Sequence, residues 1–250
     1  MKILAYTFLF LILGYSLCSA QQLRVVYVNQ NKHKVDLNKV SDEISDREMY
    51  EAIKEAMQRK TEFELVINGQ ESLYKEIEKI DNSQVEPGRI RVVIRSGAQH
   101  QFTDLSRKEI LSKAKSADKE FLVTDSLKNF DWQLTRDREE YLGYEVRKAI
   151  SRDAKQTTVA WYAPAIKLSH GPAEFQGLPG LILKVETTMN DKEESVFTWL
   201  ATSVQVLDKL PQSFARPTQG QRVTRNEFKE INEAHNKRLN EMYGGGIDKD

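Results

Sequence analysis

The stretch Thr157-Thr158-Val159-Ala160-Trp161-Tyr162, followed beyond a connection dense in glycine and proline by Leu181-Ile182-Leu183-Lys184-Val185-Glu186-Thr187, decides the fold class. Both runs are short and rich in β-branched and aromatic residues, so each reads as a strand. The same signature recurs at Phe121-Leu122-Val123, Trp132-Gln133-Leu134, Tyr144 to Ile150 and Val196 to Val206. Parallel pairing would need a long crossover helix between strands, and these intervals have no room for one. An antiparallel meander is therefore expected, with Asn190-Asp191 marking its last hairpin.

Upstream, Leu23 to Val28 alternates as a half-buried strand. Ser45 and Glu48 resemble a capping box, and Met49, Ile53 and Met57 then recur every four residues, which predicts a helix over Asp46 to Arg59. Phe63, Leu65 and Ile67 lead into Asn68-Gly69, the pair favoured in type I′ turns, with a return through Ser72-Leu73-Tyr74. Ile90, Val92 and Ile94 predict a further strand, on which Arg89, Arg91 and Arg95 read as the charged outer side of a sheet edge. Thr103 to Lys119 fits helix and strand equally. Near the other end, Thr224 and Glu227 form a second capping box ahead of Phe228, Ile231, His235, Leu239 and Met242, one face of a helix that stops before Gly244-Gly245-Gly246. The reading is one α+β domain: an antiparallel sheet with a helix in the N-terminal half and a C-terminal helix packed on it.

The chain has 250 residues, with 37 Lys+Arg against 37 Asp+Glu and a single Cys. That balance lacks the basic footprint of a protein that neutralises phosphates, so no nucleic-acid partner is expected. Met1-Lys2, the apolar run Ile3 to Leu13, and small residues at Cys18 and Ala20 read as a secretory signal peptide cleaved after Ala20, the run being too short to span a membrane. No transmembrane segment is expected after cleavage, and the location implied is periplasmic or secreted. Acylation at Cys18 is disfavoured by bulky Leu17. Cleavage removes Cys18, and with it disulfide and thiol chemistry.

Three of the six prolines fall within Pro164 to Gly180, beside Gly171, Gly177 and Gly180. Such density shapes a backbone without periodic structure. One reading is a rigid binding loop, with Trp161 and Tyr162 as flat surfaces and His170 as a polar contact; the other, favoured here, is a wide turn whose Leu178 plugs the core. His170 and Glu174 have helical metal-ligand spacing, but Gly171 and Pro172 between them break a helix, and His33, His100 and His235 are scattered, so neither metal nor cofactor is expected. The sequence contains no G-x-S-x-G, P-loop or G-x-G-x-x-G pattern, so no catalytic residue is assigned.

Ala160-Trp161-Tyr162, His170-Gly171-Pro172, Phe175 and Gly177-Leu178-Pro179-Gly180-Leu181-Ile182 closely resemble the GLPGLI family of exported proteins from Gram-negative envelopes. The resemblance continues through Val123-Thr124-Asp125, Trp132-Gln133-Leu134 and Gly143-Tyr144, and downstream through Pro217, Thr224 and Phe228. It implies a single domain over 21–246 with a disordered tail at 247–250. Family members often carry a Cys after the Gly-Tyr pair, which this chain lacks. The resemblance transfers a location and no mechanism; its pattern looks like curved half-barrel sheets that hold lipidic or peptidic ligands. The leading expectation is a non-enzymatic carrier, or an accessory to an outer-membrane transporter, with Trp132, Trp161, Tyr162, His170, Glu174, Gly177, Leu178, Pro179, Gly180, Leu181 and Ile182 around an apolar concavity. The alternatives are an envelope hydrolase drawing on His170, Glu174 and Asp131 from distant strands, and a protein that docks through its C-terminal helix.

Overall fold

The structure, a computed structural model, describes residues 22–32, 47, 49–50, 60–78, 100–190 and 195–243. Among them are β1 (Gln22–Lys32), β2 (Thr61–Asn68), β3 (Glu71–Glu76), β4 (His100–Asp104), β5 (Glu109–Ser116), β6 (Lys119–Ser126), β7 (Gln133–Tyr141), β8 (Tyr144–Arg152), β9 (Gln156–Ala163), β10 (Leu181–Met189), β11 (Val196–Val206), β12 (Gln221–Thr224) and the helix α1 (Arg225–Tyr243). The helix expected over 46–59 lies outside the described residues but for Arg47, Met49 and Tyr50, which are helical. The strand expected at 90–95, with its three arginines, also lies outside them.

All twelve strands belong to one sheet, in the order β12-β6-β5-β4-β3-β2-β1-β11-β10-β9-β8-β7. Two meanders, β2 to β6 and β7 to β11, meet at β1, which pairs antiparallel with β2 on one side and β11 on the other. The stretch left open between helix and strand, 103–119, forms most of the β4–β5 hairpin. β12 was not foreseen; it lies parallel to β6.

The topology requires the sheet to curl. β6 is second in the order and β7 is last, so in a flat sheet they would stand about 48 Å apart at roughly 4.8 Å per strand. The chain between Ser126 and Gln133 reaches at most about 25 Å when fully extended. Side chains record the same curl: the Tyr27 hydroxyl on β1 donates to the Ile182 carbonyl on β10 at 2.6 Å, although β11 lies between the two strands.

Alternation sorts the side chains as the pleat demands. Leu23, Val25 and Tyr27 of β1 pack with Phe63, Leu65 and Ile67 of β2 and with Tyr74 of β3, all within 2% of full burial. Burying a side chain of this size contributes about 1.5–3 kcal/mol, so these strands anchor the fold. Phe63 and Tyr74 stack at 4.9 Å. Leu73, next to Tyr74, points the other way and joins Phe102, Leu111 and Leu122 in a separate cluster covered by Phe214. Phe214 belongs to the strap 207–220, which leaves β11 in mid-sheet and reaches β12 at the edge. Arg216 clamps the strap, donating to the Asp104 carboxylate at 3.0 Å and to Glu109.

The capping box at the start of α1 forms as read: the Thr224 N–H donates to Glu227 Oε2 at 2.7 Å and the Glu227 N–H donates to Thr224 Oγ1 at 3.2 Å. Phe228 and Ile231 pack on Phe121, Val123 and Val223, while Met242 is 69% exposed. One turn differs from expectation. Asn68 pairs with Glu71, so the loop is Gly69-Gln70, with φ +60° at Gly69 and no positive φ at Gln70. Glycine at the first loop position is the type II′ arrangement, shifted one residue from the Asn-Gly type I′ turn.

Candidate functional site

Residues 164–180 connect β9 to β10 and fold back on themselves. The Ile166 carbonyl accepts from the Leu181 N–H at 3.1 Å, the His170 carbonyl from the Ile182 N–H at 3.0 Å and the Ser169 carbonyl from the Gly177 N–H at 3.0 Å. Two glycines make this packing possible. A Cβ at Gly180 would stand 2.3 Å from the Ala163 carbonyl oxygen, and one at Gly171 would stand 2.7 Å from the Phe175 oxygen and 2.9 Å from Ile182 Cβ. Ala173 has φ +50°, an uncommon conformation for a residue with a side chain.

The loop is then tied to remote parts of the sheet. Gln101 on β4 donates to the Ala173 carbonyl at 2.8 Å, and His170 Nε2 lies 3.0 Å from the Gly69 carbonyl in the β2–β3 turn. A carbonyl only accepts, so the proton of the neutral imidazole sits on Nε2. Burial pushes the His170 pKa down to about 4, against the upward pull of this hydrogen bond.

On its other side the loop is joined to residues 127–132, which link β6 to β7. Trp132 Nε1 donates to the Gln176 carbonyl at 2.9 Å, Gln176 Nε2 donates to the Lys128 carbonyl at 2.7 Å, and Lys128 pairs with Glu174 at 3.3 Å. Phe175 inserts between Phe130 and Trp199, with ring centroids 5.4 and 5.2 Å away, and Phe130 stacks on Trp132 at 5.0 Å. The two connections thus form one hydrogen-bonded surface on a shared aromatic base.

The expected site residues divide by exposure. Leu178, Leu181 and Ile182 are fully buried, Tyr162 and His170 nearly so, and Gly180 is buried. Gly177, Pro179 and Glu174 are exposed, and Trp132 is half-buried. The hexapeptide therefore alternates at first, with Gly177 and Pro179 outward and Leu178 and Gly180 inward, before entering β10. Asp131 is exposed and faces Asn129. The structure does not gather His170, Glu174 and Asp131: one is bound to a buried backbone carbonyl, one to Lys128 and one to Asn129. Among the described residues no group of three or more His, Cys, Asp or Glu side chains could hold a metal ion.

Trp161 belongs to a different constellation. Lys148 and Lys184 lie over its ring at 5.9 and 5.2 Å, and Lys184 also lies 5.0 Å from the Tyr141 ring. Lys184 pairs with Glu139, Lys148 pairs with Asp137 at 3.2 Å, and the Tyr141 hydroxyl donates to the Ala201 carbonyl at 2.6 Å. These contacts fold the β7–β8 hairpin against β10 and β11. Sequence reading passed over Tyr141, Lys148 and Lys184; the available signal was Lys184, the charge that interrupts the otherwise apolar run Leu181 to Val185. Gln101, Lys128 and Gln176 carried no signal, because their partners, the Ala173 carbonyl, the Glu174 carboxylate and the Lys128 carbonyl, lie far away in the chain.

A family model described as "Protein of unknown function (Porph_ging)" matches residues 113–184, a span that holds β6 to β9 and the whole 164–180 connection. No curated protein matches the sequence. Two structures of PNGF-II, in space groups C2 and P21, are similar over 86% of this chain at 19% and 18% identity, with TM-scores of 0.56 and 0.55. This chain spans about a third of theirs, 33% and 34%. A LolA superfamily protein from Nitrosomonas europaea aligns over 79% of this chain and 91% of its own, with 9% identity and a TM-score of 0.35. At these identities the PNGF-II likeness speaks to the fold alone.

Proposed function

We propose that this chain is an exported envelope protein of the GLPGLI kind, released by cleavage after Ala20, and that it binds a ligand or partner without catalysing a reaction on it. The observation that carries the reading is the joining of 127–132 to 164–180: three side-chain contacts hold two surface connections as one rigid face. Loops held in place before binding lose little freedom on association, and binding residues concentrate on such loops. The contacting residues would be those the face exposes, Trp132, Glu174, Gly177 and Pro179, with the exposed Leu134 beside them on β7. Tyr162, His170, Leu178, Gly180, Leu181 and Ile182 would hold that face in shape from beneath. Apolar Leu134 and Pro179 beside a half-buried indole suit a lipidic or peptidic ligand, or a segment of an outer-membrane transporter.

Native mass spectrometry of the mature protein from an exporting Gram-negative host, compared with its denatured mass, tests this directly. A discrete adduct that is released on denaturation, and that is lost in a Trp132→Ala protein of unchanged thermal stability, is the expected result. An adduct that survives Trp132→Ala unchanged would place binding elsewhere. A bare protein that also captures no envelope partner would overturn the reading.

A further inference from the structure

We infer that the face of β3, β4 and β5 crossed by the strap carries a binding site for a phosphate group, held by Lys75, His100, Lys113 and the Ser213 hydroxyl. Lys75 stands opposite His100 across the β3–β4 ladder. Gln101 pairs with Ser112, so the next position of the β4–β5 ladder sets Lys113 beside His100. Leu73, Phe102 and Leu111, two positions along the same strands, form the cluster under Phe214, and by alternation the three basic side chains share its face. The strap meets them there, since Lys75 Nζ donates to Ser213 Oγ at 3.3 Å. An ammonium only donates, so the Ser213 hydroxyl keeps its own proton to offer.

Charge on this row is unbalanced. Glu64 is shared between Arg24 at 2.7 Å and Lys75 at 3.0 Å. Among the described residues Lys113 has no carboxylate partner and the half-buried His100 ring has no hydrogen bond. The other charges nearby are committed or turned away: Arg216 of the strap meets Asp104 and Glu109, Lys115 stands opposite Glu120, and Glu76 alternates to the far face. Charges on an edge strand keep sheets apart, but β3, β4 and β5 lie inside the strand order, where that purpose lapses. Like charges on neighbouring strands repel, and burial, Lys113 and Lys75 together press the His100 pKa below its usual value. An anion between the two ammonium groups relieves both costs. A carboxylate has two oxygens for the donors of three strands, whereas a phosphate group has three acceptor oxygens and a larger charge.

Inorganic phosphate titrated into the mature chain at constant ionic strength, followed through the imidazole proton resonances, tests the site. The expected result is a saturable shift confined to His100, with binding about fivefold weaker in Lys113→Ala, restored in Lys113→Arg and unchanged in Trp132→Ala. No saturation, or equal affinity in Lys113→Ala, overturns the inference. Inorganic sulfate keeps its double charge, so its affinity is expected to rise from about pH 8 to about pH 6 as His100 gains a proton, and to lose that rise in His100→Gln. An equal rise in both proteins overturns the place of His100. Vesicles distinguish the source of the phosphate. Co-sedimentation with phosphatidylglycerol vesicles, above that with phosphatidylcholine and dependent on Lys113, assigns the site to a lipid headgroup; saturation by free phosphate without co-sedimentation assigns it to a soluble phosphate compound.

Discussion

His170 Nε2 donates to the carbonyl of Gly69, a residue 101 positions earlier, across 3.0 Å. This one bond fastens the β9–β10 connection to the β2–β3 turn, and it joins two segments that share no strand pairing. Because the imidazole is 2% exposed, its protonation state is coupled to whether the loop stays down.

That coupling sets a pH dependence. Burial lowers the His170 pKa from 6.5 to about 4, so between those values the unfolded chain binds a proton that the folded chain refuses, and stability falls as pH falls. The loss begins near pH 6.5 and levels off below about pH 4; at 1.36 kcal/mol per unit it amounts to about 3 kcal/mol. Thermal unfolding followed from pH 7 to pH 4 is expected to show it, and His170→Gln, which keeps a donor for Gly69, is expected to flatten the curve in that window.

Gly180→Ala and Gly177→Ala are expected to differ sharply. The first drives a Cβ to within 2.3 Å of a backbone oxygen, whereas the second meets nothing within 4 Å and bears only the strain of φ +89°. We expect a loss of at least about 3 kcal/mol for Gly180→Ala and about 1–2 kcal/mol for Gly177→Ala. Urea titrations that gave the opposite order would contradict the close approach of the loop to β9.

Arg216→Ala and Arg222→Ala probe the strap. Both side chains reach Glu109, but Arg216 also meets the Asp104 carboxylate, which is 4% exposed, while Arg222 is 65% exposed. Burial pushes the Asp104 carboxyl up, yet Ser106, the Arg107 N–H and Arg216 outweigh it and hold it below the usual range. Removing Arg216 leaves a buried charge short of a partner, for about 2 kcal/mol; removing Arg222 is expected to cost less than about 0.5 kcal/mol. Chemical denaturation of the two proteins decides it.

Leu178→Ala tests whether the loop belongs to the core. Leu178 is 1% exposed among Phe130, Phe175 and Ile182, and truncation there is expected to cost about 3 kcal/mol through lost burial and the cavity left behind. The exposed neighbour Pro179→Ala is expected to change stability by under about 1 kcal/mol, measured in the same titration.

Much of the secondary structure was legible because its causes are local. Alternation at Phe63, Leu65 and Ile67 and at Thr157 to Tyr162 is written in neighbouring residues, and so is the reciprocal Thr224–Glu227 cap. β12 was illegible because Gln221-Arg222-Val223-Thr224 has one apolar residue and becomes a strand only beside β6. The turn at Gly69 was placed one residue early, since register depends on which residues of the two strands pair, and the Asn-Gly signal does not carry that information.

For the candidate site, composition marked 164–180 as shaped backbone, and Leu178 as its plug, without revealing what the shape fits. Gly180 has no Cβ because of Ala163, the His170 proton is placed on Nε2 by Gly69, and Trp132 is oriented by Gln176. The strands, the cap and the glycine-dense loop followed from residue order, since dihedral preference and side-chain alternation act over a few neighbours. The seam at β1, the curl that lets 127–132 join β6 to β7, and the exposure of Trp132, Glu174 and Pro179 followed from folding, because each depends on surfaces that become neighbours only when distant segments bury them together.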